Sequence, residues 1–116
     1  AALARVGLDS RAAQTAGTLA YGHQRLLEIA MGLALRPGLL ILDEPTQGLA
    51  HSEIDAFNTL VRALTPQTTV LIEHNMDVVM DLADRITVLN RGAKLTTGTP
   101  GKIRADPAVQ AAYLGG

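Results

Sequence analysis

The stretch "LLILDEPTQGL", Leu39 to Leu49, decides how the chain is read. Leu39 to Leu42 is an unbroken apolar run, the pattern of a strand covered on both faces. It ends in two neighbouring carboxylates, Asp43 and Glu44, followed by a proline. A strand that finishes in two adjacent negative charges needs a use for both. The first can bind Mg²⁺ directly or through water, because magnesium takes few protein oxygens and fills its shell with water and phosphate. The second points elsewhere, since side-chain direction changes along the chain. It can orient and polarise a water for attack on a phosphoryl group. On this stretch alone, a polar strand end with two solvated acids competes on even terms.

The same arrangement recurs further along. Val70 to Ile72 forms the core of a second buried strand, and Glu73 and His74 follow it. Between the two strands, Ser52 can cap a helix with Ile54, Phe57, Leu60, Val61 and Leu64 on its apolar face. Upstream, Leu26, Ile29, Ala30 and Leu33 fall at i, i+3, i+4, i+7, one face of a helix that Pro37 and Gly38 stop. Ala1 to Gly17 holds weak helical turns. Downstream, Asn75 can cap a short helix with Met76, Val79, Met80 and Ala83 inward. Ile86 to Leu89 reads as a third strand, Asn90-Arg91-Gly92 as a turn, and Lys94 to Thr97 as a hairpin return. The tail, Pro100 to Leu114, reads as two short helices broken at Pro107. Strand, helix, strand, helix, strand implies crossover units and a largely parallel sheet. Ligands of such sheets sit beyond the carboxyl ends of the strands, where Asp43-Glu44 and Glu73-His74 both fall.

Composition narrows the classes. The 116 residues suit one domain. A formal net charge of -1 gives no bulk electrostatic case for nucleic acid or an anionic membrane surface. Hydrophobic content is 47% and aromatic content 3%, so the core is built from Ala, Leu, Ile and Val. The chain has no cysteine, which excludes disulfides and thiolate metal sites. No apolar run approaches the roughly 18–20 residues of a membrane span, and no signal peptide is visible. His23, His51 and His74 lack a compact ligand spacing, so no zinc site is expected. His51 reads as a solvated residue at a helix start, Met76 and Met80 as packing, and Lys102 and Arg104 as a solvated helix face.

The stretch "LAYGHQRLLEIA", Leu19 to Ala30, adds an anion site: a small-residue turn enters a helix near Gly22 and leaves free backbone N–H groups at its positive end. An ordinary helix start with a glycine is the bland alternative. Taken together, "LAYGHQ", "LLILDEP" and "LIEHNM" resemble the signature motif, Walker B motif and switch-histidine loop of an ABC-type ATPase, in that family's order. The tail "DRITVLNRGAKLTTGTPGKIRADPAVQAAYLGG" is similar to the carboxyl end of ATP-binding subunits from branched-chain amino-acid importers. The resemblance runs from Leu3 to Gly116.

That resemblance implies a partial P-loop NTPase (ABC ATPase) fold of class α/β, a mostly parallel sheet with flanking helices. By analogy, Asp43 would hold Mg²⁺, Glu44 would be the catalytic base, and His74 would contact the γ-phosphate. Leu19, Ala20, Tyr21, Gly22 and His23 would form the signature, which closes over ATP held by a partner subunit. Gln47, Gly48, Leu49 and Ala50 would be the loop between two shared sites. Tyr21, otherwise a surface aromatic, would then lie at the dimer interface. The cofactors implied are ATP and Mg²⁺. The partners implied are a second ATPase subunit and transmembrane permease subunits, with no nucleic acid. The implied location is cytoplasmic, peripheral on the inner face of the cell membrane. Residues 1–37 would end a helical subdomain, 38–98 would form the carboxyl half of the ATPase core, and 99–116 a helical tail.

The chain also departs from the family's pattern. Ala20 stands where serine is frequent, so a hydroxyl to the γ-phosphate is lost, worth roughly 1.5–3 kcal/mol for a bond to a charged group. Ala50 stands where Asp or Asn is usual, and His23 replaces a glutamine. No GxxxxGK[ST] occurs in the 116 residues, and that loop supplies the phosphate cradle and its lysine. The chain therefore reads as a carboxyl half that does not hydrolyse ATP by itself. In that fold the phosphate-loop strand lies between the strand ending at Glu73 and the strand Ile86 to Leu89. Its absence should leave two unpaired edges, which invite pairing with other chains. An isolated fragment is expected to be unstable, to swap elements or to rearrange. Two other classes carry the same motifs: the carboxyl half of a DNA-repair or chromosome-maintenance ATPase, and a non-catalytic half-domain that pairs with a complete ATPase.

Overall fold

The computed structural model describes residues 2–64 and 68–113. Ala1 and Leu114 to Gly116, which the reading above included in its end segments, lie outside the described residues. The chain divides into two compact units, Ala1–His74 and Asn75–Gly116.

The first unit begins with a short helix, α1 (Ala2–Arg5), and two 3-10 turns, Asp9–Arg11 and Ala16–Thr18. They lead into α2 (Tyr21–Ala34), which ends before Pro37, with Arg36 in the left-handed region at φ 51°. Next come β1 (Leu39–Asp43), α3 (His51–Arg62) and β2 (Thr68–Ile72). β1 and β2 pair in parallel, with Leu39 opposite Thr68 and Asp43 opposite Ile72. This is the crossover unit that the element order implied. The buried hydrophobic residues of this unit are Val6, Leu8, Leu19, Ile29, Ala30, Leu33, Leu40, Leu42, Phe57 and Leu64. α2 packs closely on β1: a Cβ added at Gly32 would come within 3.3 Å of Leu40 Cδ1.

Two expectations change here. β1 and β2 are each covered on one face. Leu40 and Leu42 are buried, whereas Leu39, Ile41, Val70 and Ile72 are 52%, 59%, 43% and 50% exposed. In-register parallel pairing sends residues of both strands alternately to the two faces, so these four side chains form one open apolar surface. Second, α3 starts at His51 with Ala50 as its N-cap, placing Ser52 inside the first turn. Alanine offers no oxygen, and Glu53 instead accepts from the Ala50 N–H at 2.9 Å, half of a capping box. Among the described residues the strands pair as β1 with β2, in parallel, and as the later hairpin described next, the α/β arrangement of parallel strands and helices that the sequence implies.

The second unit holds α4 (Met76–Leu82), β3 (Ile86–Asn90), β4 (Ala93–Gly98), α5 (Pro100–Arg104) and α6 (Pro107–Tyr113). Asn75 caps α4, its Oδ1 accepting from the N–H groups of Asp77 at 3.1 Å and Val78 at 3.4 Å. β3 and β4 form the expected antiparallel hairpin. Its turn residues Arg91 and Gly92 both have positive φ, 51° and 81°, as a two-residue turn with the twist of a hairpin requires. Thr99 caps α5 and Asp106 caps the first turn of α6. Ile86, Val88, Ile103 and Val109 make the core, with Met76, Val79, Met80 and Ala83 packed against it. Among the described residues, no helix is long and apolar enough to cross a membrane.

The two kinds of apolar position should respond differently to truncation. Ile103→Ala, at a fully buried site, should lower stability by about 2–5 kcal/mol. Ile41→Ala on the open face should change it by less than about 1 kcal/mol. Urea unfolding of the two variants measures both, and equal losses would mean that the open face is covered in solution.

Candidate functional site

Parallel pairing in register brings the carboxyl ends of β1 and β2 side by side, and with them both acidic strand ends. The Glu44 N–H donates to the Ile72 carbonyl at 2.7 Å, one step beyond the ladder. There the chain leaves extended geometry, because Glu44 sits at φ 46°. A non-glycine residue in the left-handed region costs on the order of 1–3 kcal/mol and persists where its surroundings hold it. The turn separates the two carboxylates. Asp43 stays on the open face with Ile41, and its carboxylate makes no hydrogen bond among the described residues. Glu44 swings to the neighbouring strand end, where its Oε1 lies 3.1 Å from His74 Nδ1. Both side chains are partly exposed.

Glu73 is the hidden member of this group. Its side chain is 1% exposed. The Thr46 hydroxyl donates to Glu73 Oε2 at 2.7 Å, the Thr46 N–H donates to the same oxygen at 3.4 Å, and the His74 N–H donates to Oε1 at 3.2 Å. A buried carboxylate is tolerable when hydrogen bonds replace its water. Here the bonds also tie the end of β2 to the loop that follows β1. No sequence pattern separates such a carboxylate from a solvated one at a strand end, so Glu73 and Thr46 carry no role in the reading above.

The start of α2 joins the same loop. Ala20 is its N-cap, extended and without an oxygen to offer. Leu19 and Gly22 are buried, Tyr21 is half-exposed and His23 is partly buried. The Tyr21 hydroxyl donates to the Gln47 carbonyl at 3.1 Å. Its ring lies against Gly48, which has φ 82°; a Cβ there would come within 3.1 Å of the ring. A Cβ on Gly22 would fall 1.9 Å from Glu53 Oε2. The segments Leu19–His23 and Gln47–Ala50 are therefore docked together within the first unit. Arg25, one turn along, donates from Nη2 to the Glu44 carbonyl at 3.0 Å and from Nε to the Pro45 carbonyl at 3.3 Å.

A cleft of about 220 Å³ between α2 and the edge of β1 is lined by Arg25, Ile29, Leu40, Asp43 and Pro45 among others. Glu44 and His74 do not line it, so the charged groups meet outside this cleft. Among the described residues, no three His, Asp or Glu side chains gather as a metal cage. One open carboxylate suits a cation that takes its remaining ligands from water and phosphate, so Asp43 fits Mg²⁺ in that mode.

The family described as ABC transporter matches residues 1–47, and the family described as branched-chain amino acid ATP-binding cassette transporter matches residues 93–116. The chain is 48% identical, over 97% of its length, to the high-affinity branched-chain amino acid transport ATP-binding protein BraF of Pseudomonas aeruginosa. It is 46% identical over the same share to LivG of Escherichia coli, which has the same description. It covers 46% of each of those relatives, so it spans about half their length. Among solved structures, the ADP conformation of an ATP-binding cassette of an ABC transporter superposes with a TM-score of 0.88 at 27% identity. That match covers 99% of this chain and 48% of the other.

The Thr46–Glu73 bond can be tested directly. Thr46→Val removes the hydroxyl that faces a buried carboxylate and should lower stability by about 1–3 kcal/mol. Thr46→Ser keeps the hydroxyl and should retain most of that. Urea unfolding distinguishes them, and a Thr46→Val variant as stable as the parent sequence would show that Glu73 does not need the bond.

Proposed function

The chain belongs to the ABC transporter ATP-binding family, and from that premise we propose that it is the carboxyl half of the ATP-hydrolysing subunit of an importer of branched-chain amino acids. The observation that carries the catalytic part of this reading is the contact between Glu44 and His74 at two paired strand ends.

In the parent cassette, Glu44 is the general base. Its carboxylate orients the attacking water and takes its proton as the bond to the γ-phosphorus forms and the bond from that phosphorus to the β–γ bridging oxygen breaks, with ADP as the leaving group. His74 contacts the γ-phosphate and holds the Glu44 carboxylate from the other side. Asp43 would hold Mg²⁺, which neutralises phosphate charge when bound. Leu19, Ala20, Tyr21, Gly22 and His23 close over ATP bound to a second ATPase subunit. The free N–H groups at the start of α2 suit that anion. Gln47, Gly48, Leu49 and Ala50 form the loop between the two shared sites. ATP-dependent closure of this dimer drives transmembrane permease subunits, which places the assembly on the cytoplasmic face of the membrane. Residues 1–37, 38–98 and 99–116 are then the end of the helical subdomain, the carboxyl half of the core and the helical tail.

The half-cassette reading also accounts for the open face of β1 and β2, where a phosphate-loop half would pack. A glycine-rich loop with its lysine is needed to bind the phosphates, and the 116 residues contain none. The purified chain should therefore release no phosphate from ATP. In the parent cassette, Glu44→Gln should lower turnover about 10²–10⁴-fold while ATP binding stays within a few-fold. Retained turnover would remove Glu44 from the role, and turnover by the purified chain would overturn the half-cassette reading.

A further inference from the structure

Two side chains on one face of α2 grip the turn that carries Glu44. Tyr21 and Arg25 lie at i and i+4, so they project side by side. The Tyr21 hydroxyl donates to the Gln47 carbonyl at 3.1 Å. Arg25 uses three nitrogens on three acceptors: Nη2 on the Glu44 carbonyl at 3.0 Å, Nε on the Pro45 carbonyl at 3.3 Å, and Nη1 on Glu28 Oε2 at 3.1 Å. Its side chain is 21% exposed, and its guanidinium carbon lies 6.0 Å from the centre of the Tyr21 ring. Glu44 needs such a grip. It holds a left-handed backbone at φ 46°, and its own N–H and carbonyl are otherwise fixed by Ile72 and Gln47. Arginine suits this task because its planar fork reaches two adjacent carbonyls at once, which an ammonium does less well.

We infer that Arg25 is a positioning residue for Glu44: it holds the left-handed turn by its Glu44 and Pro45 carbonyls, and so aims the Glu44 carboxylate at His74. Arg25 itself touches no reacting atom in this account. The catalytic consequence rests on the proposed role of Glu44 as base, but the grip on the turn does not.

The test has two arms. In the chain itself, amide hydrogen exchange is compared between the native sequence, Arg25→Met and Arg25→Lys. Methionine keeps the apolar stem and loses the donors. Arg25→Met should speed exchange of the Gln47 and Leu49 amides at least about tenfold and leave the Thr87 and Val88 amides of the hairpin unchanged, with Arg25→Lys in between. Unchanged Gln47 and Leu49 exchange overturns the grip. In the parent cassette, Arg25→Met should lower kcat for ATP about 10–100-fold with KM within about threefold, and Arg25→Lys should recover part of it. In a Glu44→Gln background, Arg25→Met should lower the residual turnover no further, since one acts through the other. An equal loss in that background, or a change in KM alone, overturns the positioning role. If Glu44→Gln by itself leaves turnover intact, the reading of Glu44 as base fails, and the exchange pattern still decides whether Arg25 holds the turn.

Discussion

A single backbone angle, φ 46° at Glu44, keeps the two neighbouring carboxylates of the strand end apart. Had β1 continued in extended geometry, Glu44 would have taken the side of Leu40 and Leu42, both buried. An unpaired carboxylate there would cost several kcal/mol, more than the roughly 1–3 kcal/mol of a left-handed residue. The strained turn is therefore the less costly arrangement. It leaves Asp43 on the open face and sends Glu44 to His74.

The turn is held from two directions. On the β2 side, buried Glu73 accepts from both the hydroxyl and the N–H of Thr46. On the α2 side, Arg25 and Tyr21 donate to carbonyls of residues 44, 45 and 47. Glycines permit the close approach. Gly48 adopts φ 82° beneath the Tyr21 ring, and Gly22 leaves room for the Glu53 carboxylate that caps Ala50. The glutamate at position 53 thus replaces what alanine at position 50 cannot offer. The helix start and the loop are locked by side chains reaching across from each other, although neither helix has an oxygen-bearing N-cap.

Much of this was legible in the sequence. The helical spacing of Leu26 to Leu33, the Asn75 cap, the Arg91-Gly92 turn and the break at Pro107 are local signals, and local physics honours them. The placement of Asp43-Glu44 and Glu73-His74 at one sheet edge followed from the crossover order. The holding groups were not legible. Thr46 and Arg25 act on groups 19 to 27 residues away and Glu53 across a single helical turn, and such contacts leave no periodic trace. Ser52 was favoured as a cap by residue type, but the chain enters α3 two residues earlier and lets Glu53 do the work from inside the helix. The division of labour between Asp43 and Glu44 follows from ordinary alternation in the sequence, whereas in the structure it depends on a left-handed residue at Glu44 that no local pattern announces.

The open face of β1 and β2 shows why an apolar run by itself misleads. Leu39 to Leu42 reads as covered on both faces because alternate residues are equally apolar, and the pattern records the environment the strand is built for rather than what these residues alone provide. α2 supplies cover for Leu40 and Leu42. Nothing among the described residues does so for Leu39, Ile41, Val70 and Ile72. Four large apolar side chains about half-exposed on one pleated face are unusual for a finished surface. β2 also has one edge unpaired among the described residues. An apolar face and a free edge of the same strand pair call for the same complement, at least one strand with a covering helix. The chain spans 46% of relatives that match it along nearly its full length, which leaves more than enough chain in those relatives to form such a layer. On the half-cassette reading proposed above, these exposed side chains are where the second half would pack, on the face that also carries Asp43.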